Sequence, residues 1–173
     1  MKIRDNQRTA VYRWEDVVKK QFPEVVEPMT LDECKALVQQ VWNDYRPDAE
    51  PPTVYDGRGR RRASGSRWRI MLPVWARTKL VVLHEIGHSL QKSEPWHSPE
   101  FARLCLELWV HYASLPRLRV KMLGTQQKPR RVRFASLAAC VRKPKKAWQV
   151  WKQAETNLKQ ELEEHRKSEP PQY

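Results

Sequence analysis

The stretch Leu80-Val81-Val82-Leu83-His84-Glu85-Ile86-Gly87-His88-Ser89-Leu90 sets the frame for the rest of the chain. It carries His-Glu-x-x-His inside an apolar run. On a helix, residues four apart lie on one face, so the imidazoles of His84 and His88 reach a common metal ion. Glu85 stands beside them, placed to take a proton from water at that metal. Leu80, Leu83, Ile86 and Leu90 supply an apolar surround. A helix of this kind is expected to be buried, which suits a metal site that must be dry and rigid.

A hydrolytic zinc site usually has three protein ligands and one open position. The motif helix is expected to run to about Lys92 and to stop at Glu94-Pro95. Trp96-His97-Ser98-Pro99-Glu100-Phe101 follows, with Ser98 as helix cap and Pro99 at the first helical position. Phe101, Leu104, Cys105, Leu108, Trp109 and Tyr112 then recur at helical spacing, to a break at Leu115-Pro116. His97 therefore sits just ahead of a packed helix and is the preferred third ligand. Glu94, Glu100, Glu107 and His111 are the alternatives. The pattern with Gly at 91 and His at 94, used by metzincins, fails here because the chain has Gln91 and Glu94. A carboxylate from the next helix, as in gluzincins, points to Glu107.

His84-Glu85-Ile86-Gly87-His88 followed by His97-Ser98-Pro99-Glu100-Phe101 resembles the SprT/Spartan-type zinc metallopeptidases. It is also similar to small metallohydrolases of actinobacteria and their phages, which share that core. His97 matches the motif His, Pro99 its Pro and Phe101 its Phe, while Ser98 replaces the usual Gly. The core match covers about residues 78–112. The opening Arg4-Asp5-Asn6-Gln7-Arg8-Thr9-Ala10-Val11-Tyr12 adds a weaker match to the second group. The zinc-ribbon cysteines of some SprT-like proteins are absent. The resemblance implies an α+β, zincin-like core of several helices with a small antiparallel sheet beside the motif helix. It implies a zinc-dependent hydrolase with one zinc ion per chain, held by His84, His88 and His97; it does not itself supply a substrate, and a protein or peptide is the expected one. In zincins an edge strand commonly pairs with extended substrate, and Arg67–Leu72 is the candidate.

Upstream, Asp5 is expected to cap a first helix carrying Val11, Trp14, Val18 and Phe22, stopped by Pro23. Thr30-Leu31-Asp32-Glu33 reads as a capping box. The stripe Cys34, Leu37, Val38, Val41, Trp42, Tyr45 makes a second helix that ends before Pro47. Both helices read as scaffolding. Thr53-Val54-Tyr55 is a short strand and Asp56-Gly57 a turn signal. From Arg67 to Leu72 the pattern alternates, with Trp68, Ile70 and Leu72 on one face. Thr78 is placed to cap the motif helix.

The chain of 173 residues is expected to form a domain over 1–124, with an appendage over 125–173. That appendage comprises a basic segment, a helix from about Trp148 and a disordered end. An apolar patch, Phe134 to Val141, is expected to pack back on the core. With 33 Lys and Arg against 20 Asp and Glu, the net charge is +13, which favours a polyanionic partner. Arg58, Arg60, Arg61 and Arg62 form a basic loop, and Arg67 and Arg69 mark a strand face. Arg130 and Arg131 belong to a run from Arg117 to Lys146 without Asp or Glu. Such arginines hold phosphates without choosing sequence, so any nucleic-acid binding is expected to be non-specific. The opposing reading is a non-catalytic nucleic-acid-binding module whose zinc site is structural or degenerate.

Cys34, Cys105 and Cys140 are too few and too scattered for a disulfide framework, which fits a reducing compartment. The start lacks the apolar core of a signal peptide, and no apolar run approaches the ~18 residues a membrane span needs. The expectation is a cytoplasmic protein with no membrane partner. The oxyanion donor is left among Tyr112, His111 and the zinc itself.

Overall fold

The computed structural model describes residues 5, 7–91, 96–126 and 130–135. Within them the chain is α+β, with five α-helices and a small three-stranded mixed sheet. The helices are α1 (Arg8–Gln21), α2 (Leu31–Tyr45), α3 (Lys79–Leu90), α4 (Pro99–Tyr112) and α5 (Arg117–Thr125). The strands are β1 (Thr53–Asp56), β2 (Ser64–Gly65) and β3 (Arg69–Leu72).

Local chemistry sets most of these boundaries. Thr30 accepts from the Glu33 amide, and the Glu33 carboxylate accepts from the Thr30 amide at 2.7 Å, closing the capping box of α2. Cys34, Leu37, Val38, Val41, Trp42 and Tyr45 are all buried, as their spacing requires. Thr78 and Ser98 cap α3 and α4. The α3 helix ends at Leu90 and α4 at Tyr112, each about two residues short of the sequence expectation. Just beyond α4, Ser114 has φ of 55°, which turns the chain toward α5.

The motif helix α3 is the centre of the molecule. Every residue from Leu80 to Ser89 is buried, with α2 and α4 packed alongside and β2 and β3 close by. A helix apolar all round belongs inside a core, and this one has walls on each side. Trp14 of α1 packs on Trp109 of α4 with ring centroids 4.5 Å apart. Its indole N–H donates to the Val120 carbonyl of α5 at 2.8 Å. That bond meets the polar need of a large buried side chain.

The sheet departs from the expected antiparallel arrangement. β3 is central, parallel to β1 with Thr53 opposite Arg69, and antiparallel to β2 with Gly65 opposite Ile70. Arg67–Leu72 is therefore not an edge, because strand pairing occupies both sides of β3. The edge on the α3 side is β2, which lies between the expected loop at 58–62 and the expected strand from Arg67 and belongs to neither. Two residues carry too little pattern for periodicity to reveal them. Ile70 and Leu72 point into the core, but Trp68 lies before the strand and is 74% exposed.

α5 is a second element the sequence reading lacked, since a run of basic residues masked its short apolar face. It packs on α1 and α4. At Gly124 a Cβ would come within 2.9 Å of Phe134 and 3.2 Å of Trp14, so only glycine lets these rings close on the helix. Val132 is buried, and its amide donates to the Gly124 carbonyl, while the Ala135 amide donates to Pro99. Residues 132–135 thus pack back against the helices, past the expected boundary at 124. The rest of the Phe134–Val141 patch, the helix expected from Trp148 and Cys140 fall outside the described residues, and Cys34 and Cys105 are buried free thiols. No helix among the described residues is long and apolar enough to cross a membrane.

Candidate metal centre

The α3 helix places His84 and His88 one turn apart, and the turn leading into α4 brings His97 across to them. Ligand nitrogens of the three lie within 4.8 Å of one another, close enough to hold a metal ion. His84 Nε2 and His88 Nε2 stand 3.1 Å apart. His97 Nε2 is buried with no hydrogen-bond partner, which is the state expected of a nitrogen kept for a cation. All three rings are buried, and Phe101 packs against each of them. The donor set of three neutral imidazoles suits zinc or a similar borderline cation.

The outer nitrogens of His97 and His84 face carboxylates from α1 and from the segment just before it, which the sequence reading treated as scaffold. His97 Nδ1 meets Asp5 Oδ2 at 2.6 Å. His84 Nδ1 lies 3.2 Å from Glu15 Oε2, in ion-pair range though off-line for a hydrogen bond. Both are the carboxylate–imidazole pairs that fix a ligand's tautomer and orientation. Asp5 therefore does not cap α1, whose N-cap is Gln7 with no side-chain bond to the helix. Among the described residues His88 has no such partner. Its ring stacks on Phe101 at 4.3 Å, with the edge of Trp96 at 6.0 Å.

Electrostatics follow from these contacts. Burial, aided by the two neighbouring imidazoles, pushes His88 down to about 2 and keeps it neutral. Burial also lowers His97, against the opposing pull of Asp5. At His84 burial works against the charge, but the Glu15 carboxylate outweighs it and raises the imidazole above its ordinary value. A metal at this site thus displaces a proton chiefly from His84.

Glu85 completes the arrangement. Burial is the main cause that lifts its carboxyl to about 7, with His84 and the Gly65 amide pulling the other way. Its Oε2 is buried and unpartnered. The Gly65 amide pulls toward the charged form of the carboxylate, and β2 packs against α3. This contact explains the glycine: a Cβ at position 65 would lie 2.1 Å from the Glu85 carbonyl oxygen. Gly65→Ala is expected to push β2 off α3 at a cost of roughly 1–3 kcal/mol, read as a lowered denaturant midpoint. An unchanged midpoint would show that the strand has slack there.

An open cleft of about 240 Å³ lies over these residues. Glu85, His88 and His97 form its floor. Asp5, Arg8 and Tyr12 form one wall, Ala63, Ser64 and Gly65 another, and Trp96 flanks the floor.

The remaining sequence candidates disperse. Glu107 is buried between Arg103 and Arg117, an ion-paired core group rather than a ligand. Glu100 and His111 are exposed at the two ends of α4, and Glu94 falls outside the described residues. Tyr112 donates to Asp44 at 2.6 Å, away from the cleft, which removes it as an oxyanion donor. Arg67 is taken up in structure: it stacks over Trp42 and Trp68 and donates to the Glu50 carbonyl. Arg58, which pairs with Asp56, stays exposed with Arg60, Arg61 and Arg62 on the loop that runs into the cleft wall at Ala63. Arg69 is exposed on β3, and Arg130 and Arg131 are exposed beyond α5. Among the described residues no hydrogen bond or ion pair joins those two to the 58–62 loop.

Asp5, Tyr12, Glu15 and Gly65 escaped the sequence reading. A signal existed for three of them. Asp5, Arg8, Tyr12 and Glu15 recur at spacings of three and four, a polar seam that meets the apolar stripe at Glu15. A carboxylate at a buried position implies a partner. No family model matches the chain, and neither a curated protein nor a solved structure matches it.

Proposed function

We propose that this chain is a zinc-dependent hydrolase of peptide bonds, with a zincin-like core of the SprT type. The observation that carries the reading is the convergence of His84, His88 and His97 beside a buried carboxylate with one oxygen unused, at the floor of an open cleft. A purely structural zinc is usually closed off by a fourth protein ligand. Here the described ligand set has three members and faces solvent space.

When bound, zinc would polarise the scissile carbonyl and lower the pKa of water to roughly 7. The chain's own residues do the rest. Glu85 takes the proton of the attacking water and passes it to the leaving amine. Its buried setting, which raises the carboxyl toward neutrality, suits a group that must both accept and return a proton. Asp5 and Glu15 keep His97 and His84 oriented. The outer edge of β2 offers main-chain groups to an extended peptide, replacing Arg67–Leu72 in that role. The cytoplasm is the proposed compartment.

The second reading, a basic nucleic-acid-binding module with a structural metal site, draws on exposed Arg60, Arg61, Arg62 and Arg69 near exposed Trp68. It also supplies a way to hold the enzyme near nucleic acid. Exchanging Arg60, Arg61 and Arg62 together for Ala is expected to lower the slope of log affinity against log salt by about 3 on duplex DNA. Fluorescence anisotropy at several salt concentrations measures it, and an unchanged slope removes the loop from any such surface.

The decisive experiment for the main reading is zinc stoichiometry by plasma mass spectrometry, coupled to hydrolysis of unfolded casein by parent and Glu85→Gln. One zinc per chain, with cleavage confined to the parent, supports it. Zinc without cleavage by either protein moves the assignment to the binding module.

A further inference from the structure

Tyr12 is the cleft residue whose position the metal ligands alone do not explain. Its ring lies parallel over His84, with centroids 5.6 Å apart and 15° between planes, and tilts against His97 at 5.2 Å. It is 41% exposed and shares the cleft lining with Glu85. Arg8, one turn earlier in α1, stands with its guanidinium carbon 5.7 Å from the ring centroid. A guanidinium donates and never accepts, so this neighbour cannot take the hydroxyl proton, which stays uncommitted. Tyr112 is the opposite case, its proton already given to Asp44.

Resting on the hydrolase reading above, we infer that Tyr12 is the residue that donates a hydrogen bond to the oxyanion formed at the scissile carbonyl, with Arg8 polarising its hydroxyl. The ring's place over two metal ligands sets the phenol beside the reacting atoms. The neighbouring cation makes the O–H a stronger donor as negative charge develops. Two elements then share the chemistry: α3 supplies the base, and α1 supplies the electrophilic partner.

Tyr12→Phe tests this because it keeps the ring and its stacking while removing one hydroxyl. Zinc stoichiometry is expected to match the parent. Inorganic phosphate serves as a tetrahedral oxyanion probe, titrated into cobalt-loaded protein and followed by its visible spectrum. Its Kd is expected to rise ~10-fold, the loss of one hydrogen bond to a charged group. With casein, kcat is expected to fall roughly 100-fold with KM little changed. Phosphate affinity or kcat equal to the parent's overturns the assignment. The Glu85→Gln protein assayed alongside separates the two layers. If it is inactive while Tyr12→Phe matches the parent, only the Tyr12 role fails. A parent no faster than Glu85→Gln overturns the hydrolase reading and this inference together.

Discussion

On the proposed hydrolase reading, replacing Glu85 with Gln is expected to leave one zinc per chain and to slow hydrolysis roughly a thousandfold, the middle of the range for loss of a positioned general base. The amide keeps the shape of the carboxylate, so the packing of β2 on α3 is expected to persist. What disappears is the capacity to take up a proton at the oxygen that has no protein partner. Progress curves of parent and variant at equal zinc loading measure the effect, and parent-rate cleavage would sink Glu85 as the base.

The same residue gives a pH signature in the metal-free protein. Its carboxyl is raised from the ordinary 4.5 to about 7, chiefly by burial. Folding therefore favours the protonated form. The corresponding stability is fully present below 4.5 and is lost as pH rises through about 7. Gln carries no proton to lose, so the metal-free variant should not share this decline and should exceed the metal-free parent in stability above neutrality. A bound cation at the histidines favours the carboxylate and draws its pKa down. The acid limb of the parent's rate profile is accordingly expected below pH 7.

His97→Ala is expected to weaken zinc binding by roughly a thousandfold, about 4 kcal/mol, one ligand's share of a typical zinc-site affinity. Asp5→Asn and Glu15→Gln should each cost less, about 10–100-fold, because they disturb only the orientation of a ligand that remains. Competition with a chromogenic chelator ranks the three variants. Heat stability reports the same linkage. At a free zinc concentration 1,000 times Kd the parent gains about 4 kcal/mol over its metal-free form, or roughly 10 °C in Tm for a chain of this size. Chelation should remove that increment in the parent and change little in His97→Ala. Zinc held equally tightly without His97 would send the third-ligand assignment to Glu94 or Glu100.

The parts legible in the sequence were those in which one short stretch specifies its own structure. His84, Glu85 and His88 announce themselves by spacing, and Ser98-Pro99 fixes His97 at a helix start. The α2 stripe and its capping box fix that helix to the residue. The parts that escaped depend on groups far apart in the chain. Gly65 needs to be glycine because of the Glu85 backbone, twenty residues later. Asp5 serves His97 across a separation of 92 residues. β1 pairs in parallel with β3 rather than in a hairpin, and only tertiary packing decides that. In α5 the charges that suggested a phosphate surface hid a helix with Val120 and Gly124 buried against Trp14 and Phe134.

Gln7 joins three such segments at a single buried amide. Its Nε2 donates to the His97 and Arg133 carbonyls, and its Oε1 accepts from the Arg133 amide at 2.6 Å, spanning separations of 90 and 126 residues. During synthesis, then, the turn that carries His97 cannot be locked until residue 133 has been made and folded back. Loops this long close late and at an entropic cost. The clasp is therefore expected to form after the local helices. The three histidines thus come together only in the finished domain, and a nascent chain carries them without yet having a place to use them.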